Sequence, residues 1–87
     1  MENKINVYMR KKVFKVISQI MNVPVEQITD NSSPDTIQKW DSLHHMNLIL
    51  ALEEELGVQF SDDEVVEMLS VELILLTLKE KDGNIGN

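Results

Sequence analysis

The sequence predicts an all-α fold: a small four-helix bundle, three longer helices and one short third helix, with a long loop between helices 1 and 2. Three observations carry that prediction. Apolar residues recur at the spacing of helical faces, and no alternating strand pattern lasts more than a few residues. Only three glycines and two prolines punctuate 87 residues, too few for the frequent turns of an all-β chain. Hydrophobic residues make up 43% and charged residues 26%, which is apolar enough to fold and too apolar for disorder. The length fits one domain over residues 1–87, with a core at about 5–81 and a frayed tail at 83–87. A second module or a large enclosed pocket is not expected.

The first helix is expected over residues 6–21. Val13, Val16, Ile17 and Ile20 share one face, and Arg10, Lys11, Lys15 and Gln19 occupy the rest. Pro24 is expected to stop it, with Val23 and Ile28 folding back on the core. Residues 29–39 contain Asn31, Ser32, Ser33, Pro34 and Asp35, whose side chains compete for backbone hydrogen bonds, so this stretch reads as a loop. Loops of that length often frame a functional site. Asp41 or Ser42 then supplies the N-cap of a second helix reaching Leu56, with Gly57 as its C-terminal stop. Ser61 and Glu64 form a capping-box pattern opening a short helix through about Leu69, with Asp62 and Asp63 at its positive end. Ser70 starts the last helix. Val71, Ile74, Leu75 and Leu78 make its apolar face, Lys79 and Lys81 suit its negative end, and Gly83 is expected to end it.

Charge and composition exclude several function classes. Eight basic and fifteen acidic residues give a net charge of -7, which repels phosphate backbones and anionic membranes, so nucleic acid is not an expected partner. Five of the basic residues, Lys4, Arg10, Lys11, Lys12 and Lys15, stand in the first fifteen positions. Such asymmetry suggests internal pairing or charge-steered docking to basic partners. The absence of cysteine rules out disulfides, thiolate metal sites and cysteine nucleophiles, so any thiol chemistry must arrive on a cofactor. No apolar run approaches the ~20 residues that span a bilayer, and the first residues lack the apolar core of a signal peptide. A cytoplasmic monomer with no membrane insertion is the expectation.

The second helix has one apolar face too many. At about 100 degrees per residue, His45, Leu48, Ile49, Leu52 and Leu56 form one stripe, while Leu43, Met46 and Leu50 fall on the opposite side. A surface helix in a domain this small cannot bury both. Glu53 and Glu54 edge the second stripe, giving an apolar strip with acidic borders that suits docking to a partner's apolar groove and basic rim. The competing expectation is a bundle that wraps this helix on both sides.

Asp41-Ser42-Leu43 sits where the loop meets that helix. As bare residue types the triplet suits capping alone. A serine on the first turn also projects into solvent, where a phosphate ester on its oxygen would feel the helix's positive end and free N–H groups. A hydrolase with Ser42 as nucleophile, His44 or His45 as base and Asp41 behind does not fit, because neighbours on one helical turn radiate outward and do not converge on a substrate. The adjacent histidines also point apart, which is wrong for two ligands of one metal. His45, on the core-facing stripe, is expected to be a satisfied structural histidine bonded to the preceding loop. Met46 and Met68 read as packing filler.

Taken together, residues 13–78 resemble an acyl carrier protein. The matching stretches are V-x-x-V-I-x-x-I-M-N-V from Val13, W-D-S-L-x-x-M-x-L-I-L-A-L-E-E-E-L-G-V from Trp40 and S-D-D-E-V-V-E-M from Ser61, followed by a last apolar helix. The resemblance implies that Ser42 is esterified by 4′-phosphopantetheine from coenzyme A, in a step performed by a separate phosphopantetheinyl transferase with magnesium. It implies a non-catalytic carrier whose pantetheine thiol holds acyl or aminoacyl groups as thioesters, presented to an acyl-loading enzyme and to an acyl-accepting synthase or transferase. Asp41 matches the acid that helps organise metal and transferase. Leu43, Met46, Leu50, Glu53 and Glu54 match the helix that partners read, and Leu48, Leu52 and Ile74 match positions that contact the acyl chain in some members. Lys39 and Trp40 replace the small residues many members carry before D-S-L, and His44, His45 and Asn47 replace early acids common in fatty-acid carriers. These departures point to a specialised lipid, secondary-metabolite or surface-polysaccharide pathway. An unmodified acidic helical adaptor, binding a protein through the second helix, is the alternative.

Overall fold

A computed structural model describes the backbone of residues 2–86 and the side chains of residues 7–81. The elements run α1 (Glu2–Met21), a 3₁₀ turn (Val25–Gln27), α2 (Ser42–Leu56), α3 (Asp62–Glu67) and α4 (Val71–Gly86). The described residues contain helices and turns and no strand, in the order and relative lengths predicted. No described helix is long and apolar enough to cross a membrane.

Local chemistry sets most of the boundaries. α1 starts earlier than residue 6 and ends on Asn22, whose φ of 58° places it in the left-handed region that asparagine tolerates. The Val23 N–H then reaches back to the Ser18 carbonyl at 3.2 Å, and the Ser18 hydroxyl donates to the Val23 carbonyl at 2.6 Å. Pro24 follows a helix that Asn22 has already closed. α2 ends at Gly57, with φ of 68°, where the N–H groups of Gly57 and Val58 converge on the Glu53 carbonyl. Ser61 and Glu64 form both halves of the expected capping box, but α3 closes at Glu67, short of Leu69. The backbone of α4 continues past Gly83, so that glycine does not end the helix. The remaining tail residue, Asn87, lies outside the described residues.

The core is assembled from every segment. Val13, Val16, Ile17 and Met21 of α1 meet Leu48, Ile49 and Leu52 of α2 and Val71, Ile74 and Leu78 of α4, with Met68 between α3 and α4. Ile20 and Leu75, expected on core faces, are half-buried. The long loop adds Ile28, Ile37 and Trp40. Each buried side chain of this size contributes about 1.5 to 3 kcal/mol of transfer free energy, so these three anchor the loop to the bundle.

Hydrogen bonds hold its path. Ser32 Oγ accepts the Thr29 N–H at 2.9 Å, Thr36 Oγ1 accepts the Ser33 N–H at 2.9 Å, and the Ser33 carbonyl accepts the N–H groups of Thr36 and Ile37. The carbonyls of Asp30 and Ser32 accept the Glu72 and Val71 N–H groups, each at 3.0 Å, while Ser70 Oγ accepts that of Leu73 at 3.1 Å. Of the first-turn donors of α4, which have no partner inside the helix, those of Val71 and Glu72 are thus satisfied by a loop far earlier in the chain and that of Leu73 by the cap Ser70.

Candidate functional site: the N-terminus of α2 and its outer face

Asp41, in extended conformation with φ of -100° and ψ of -173°, caps α2. Its Oδ1 accepts the backbone N–H of His44 at 2.9 Å, and the His44 ring turns Nδ1 to the same oxygen at 2.8 Å. A carboxylate can only accept, so His44 Nδ1 carries the hydrogen. The backbone N–H first, and the ring second, hold the Asp41 carboxyl below the ordinary carboxylate range. Ser42 is the first residue of the helix and is exposed, and among the described residues no hydrogen bond engages its hydroxyl. The first-turn N–H groups of Ser42 and Leu43 lack intrahelical partners. The site therefore combines an available hydroxyl, a fixed anionic carboxylate and the positive end of a fifteen-residue helix.

The two histidines serve different ends. His44 is half-exposed and occupied by Asp41, whereas His45 is 8% exposed. His45 Nε2 meets the Val65 carbonyl at 2.9 Å, and its Nδ1 accepts the indole Nε1–H of Trp40 at 3.0 Å. Neither ring is bonded to Ser42, so the hydrolase arrangement is absent from this turn. His45 is the satisfied structural histidine expected on the core-facing stripe, bonded to the preceding loop through Trp40. That indole, 2% exposed and edge to edge with His45, its plane within 25° of the imidazole and the centroids 6.2 Å apart, reads from sequence only as a departure from small residues. The signal that could have found it is a lone tryptophan next to an N-cap, with a core-facing histidine one helical turn further on.

The outer face of α2 is uncovered. Leu43 is 67% exposed, Met46 47% and Leu50 59%, while His45, Leu48, Ile49 and Leu52 are buried on the opposite side. The bundle does not wrap this helix. Of the two methionines expected as filler, Met68 is fully buried and Met46 is not, because Met46 falls on the outer stripe. Glu54 is exposed on the border of the strip. Glu53 is half-buried, and its carboxylate accepts the Phe60 N–H at 2.9 Å. Leu48, Leu52 and Ile74 are fully buried in the core. An open hollow of about 380 Å³ lies instead along the loop, lined by residues including Val23, Thr29, Ile37 and Lys39.

The basic N-terminal segment finds acidic partners on other elements. Arg10 pairs with Asp30 of the loop, and Lys12 reaches Glu55 of α2 at 3.9 Å. Part of the charge asymmetry is therefore spent inside the fold.

No family model matches the chain. Named relatives do. An acyl carrier protein of Buchnera aphidicola subsp. Schizaphis graminum is 39% identical over 62 residues, spanning 71% of this chain and 78% of that protein. An acyl carrier protein of Nitratidesulfovibrio vulgaris strain Miyazaki F is 31% identical over 71 residues, 82% of this chain and 93% of its own length. One of Thermosynechococcus vestitus is 31% identical over 71 residues, 82% of this chain and 88% of its own. With identities and coverage at this level, and with the helical bundle on which Asp41 and Ser42 open α2, the chain belongs to the acyl carrier protein family.

Proposed function

We propose that this chain is a non-catalytic carrier that holds acyl or aminoacyl groups on a 4′-phosphopantetheine arm attached to Ser42. The observation that supports it most is the exposed Ser42 hydroxyl, free of hydrogen bonds among the described residues, at the positive end of α2 and beside the ionised Asp41. The residues present suit the arm: the hydroxyl offers the ester oxygen, the first-turn N–H groups of Ser42 and Leu43 favour a phosphate there, and Asp41 is placed to engage a cation. When bound, the arm supplies the thiol that a chain without cysteine does not own. A phosphopantetheinyl transferase with magnesium attaches it, and a loading enzyme and an accepting synthase or transferase use the product.

These partners dock on Leu43, Met46 and Leu50, with Glu53 and Glu54 at the border; the exposure of all three apolar side chains supports that role. Residues 1–87 act as one unit, a cytoplasmic monomer. Leu48, Leu52 and Ile74 are the core side chains an acyl tail would meet if it slid between helices. His44, His45 and Asn47 leave the start of α2 less acidic than in fatty-acid carriers, which favours a specialised lipid, secondary-metabolite or surface-polysaccharide pathway.

The test is intact mass after incubation with coenzyme A, magnesium and a broad-specificity transferase. The wild type gains one phosphopantetheine and Ser42→Ala gains none. No gain in the wild type, or a gain that survives Ser42→Ala, overturns the proposal.

A further inference from the structure

We infer that Trp40 and His45 are positioning residues for the partner-facing surface: the indole locks the His45 ring in one tautomer, and the ring fixes α3 beside α2.

The need for such a device follows from α3 itself. Six residues are far too few to hold a helix unaided, so its place depends on what it touches. Its capping box joins Ser61 to Glu64 and orders only the helix's own first turn. Met68 anchors the end of α3 in the core, and Lys81 of α4 reaches Glu64 at 3.0 Å from the other side. Glu53 of α2 holds the approach to α3 through the Phe60 N–H, and Val65 packs on the core. Among the described residues the side-chain hydrogen bond that joins α2 to α3 itself runs from His45 Nε2 to the Val65 carbonyl at 2.9 Å. A carbonyl only accepts, so Nε2 carries the hydrogen and Nδ1 keeps its lone pair. That lone pair is the acceptor for Trp40 Nε1–H at 3.0 Å. Indole nitrogen only donates, so Trp40 selects the tautomer that bonds α3. Loop, α2 and α3 are thereby linked through one buried ring.

What the link positions is surface. α3 presents exposed Val66, Asp62, Asp63 and Glu67, an apolar side chain among acids like the strip on α2. With α3 fixed, a partner meets both helices as one rigid face; with α3 loose, it must order α3 on binding. The docking consequence rests on the carrier reading, whereas the bolt can be tested without it.

The experiment has two arms on the full chain. In the first, nitrogen chemical shifts of the wild-type His45 ring report a hydrogen on Nε2 alone; a hydrogen on Nδ1 overturns the inference with no variant made. In the second, His45→Phe and His45→Gln are compared by amide exchange and by transferase kinetics. Phenylalanine fills the space and loses both bonds, while glutamine offers an acceptor and a donor at similar separation. His45→Phe should exchange its α3 amides about tenfold faster, the effect of losing one hydrogen bond, with the core of α2 unchanged. Its KM for loading Ser42 should rise severalfold at unchanged kcat, and His45→Gln should restore both readouts. Wild-type exchange in α3 of His45→Phe, or a wild-type KM, overturns the positioning role. A wild type that takes up no arm at all speaks against the Ser42 reading instead, and leaves the exchange result to decide this one.

Discussion

The carboxylate of Glu53 accepts the backbone N–H of Phe60 at 2.9 Å, while the same residue's carbonyl receives the N–H groups of Gly57 and Val58 at 2.9 and 3.2 Å. One residue therefore ties down the whole corner between α2 and α3. Glu53→Ala strands the half-buried Phe60 donor and should cost about 1 to 3 kcal/mol. Glu54→Lys touches no side-chain bond among the described residues and should leave denaturant midpoints unchanged while weakening partner binding. A midpoint that falls for Glu54→Lys and not for Glu53→Ala would reverse these assignments.

The two sides of α2 should separate stability from docking. Leu52 is fully buried, so Leu52→Ala leaves a cavity and should cost about 2 to 5 kcal/mol in urea unfolding. Leu50, exposed on the far side, should change stability by no more than about 0.5 kcal/mol when cut to alanine, yet should slow or weaken transferase binding. Equal losses of stability in both variants would mean that α2 is rotated from the orientation described.

Acid should act through Glu64. The Ser61 N–H first, and Lys81 second, hold its carboxyl below the ordinary glutamate value. Because the folded state depresses this group, its stabilisation is complete above the ordinary value and is lost as pH falls from there through the depressed folded value. The melting-temperature gap between wild type and Glu64→Gln should therefore be open at neutral pH and shrink as pH falls below the ordinary glutamate value. A gap that widens on acidification would contradict the geometry.

Association with partners should weaken as salt rises through physiological strength, where exposed charges farther apart than about 8 Å are largely screened. The exposed acids beside the strip, Glu54 foremost, predict this for a basic partner rim. Affinity by titration calorimetry that holds constant between low and high salt would assign recognition to Leu43, Met46 and Leu50 alone.

Features written in neighbouring residues were legible before any coordinates. A cap at Asp41 or Ser42, Gly57 as a stop and the Ser61–Glu64 box each need only a few residues and a fixed helical geometry; the structure gives the cap to Asp41. The two-faced character of α2 was legible for the same reason, since periodicity alone separates Leu48 and Leu52 from Leu43 and Leu50. Contacts between distant segments were not. Trp40 looked like an oddity because its acceptor, His45 Nδ1, faces it only once the loop has folded onto α2. Glu53 looked like a simple border charge because Phe60 returns to it through a turn that no spacing rule encodes. Asn22, not Pro24, closes α1, because asparagine is one of the few residues that tolerate a left-handed conformation and it stands two positions ahead of the proline. Gly83 fails to end α4, since glycine permits a helix stop without imposing one.

The carbonyls of Asp30 and Ser32, bonded to the opening N–H groups of α4, make the middle and the end of the chain mutually dependent. Without α4 the Asp30 and Ser32 carbonyls lose these partners, and without the loop the Val71 and Glu72 N–H groups lose theirs. Cutting the chain ahead of Val71 would therefore remove two of the anchors of the loop that leads to Ser42, leaving it to Ile28, Ile37, Trp40 and its own turns.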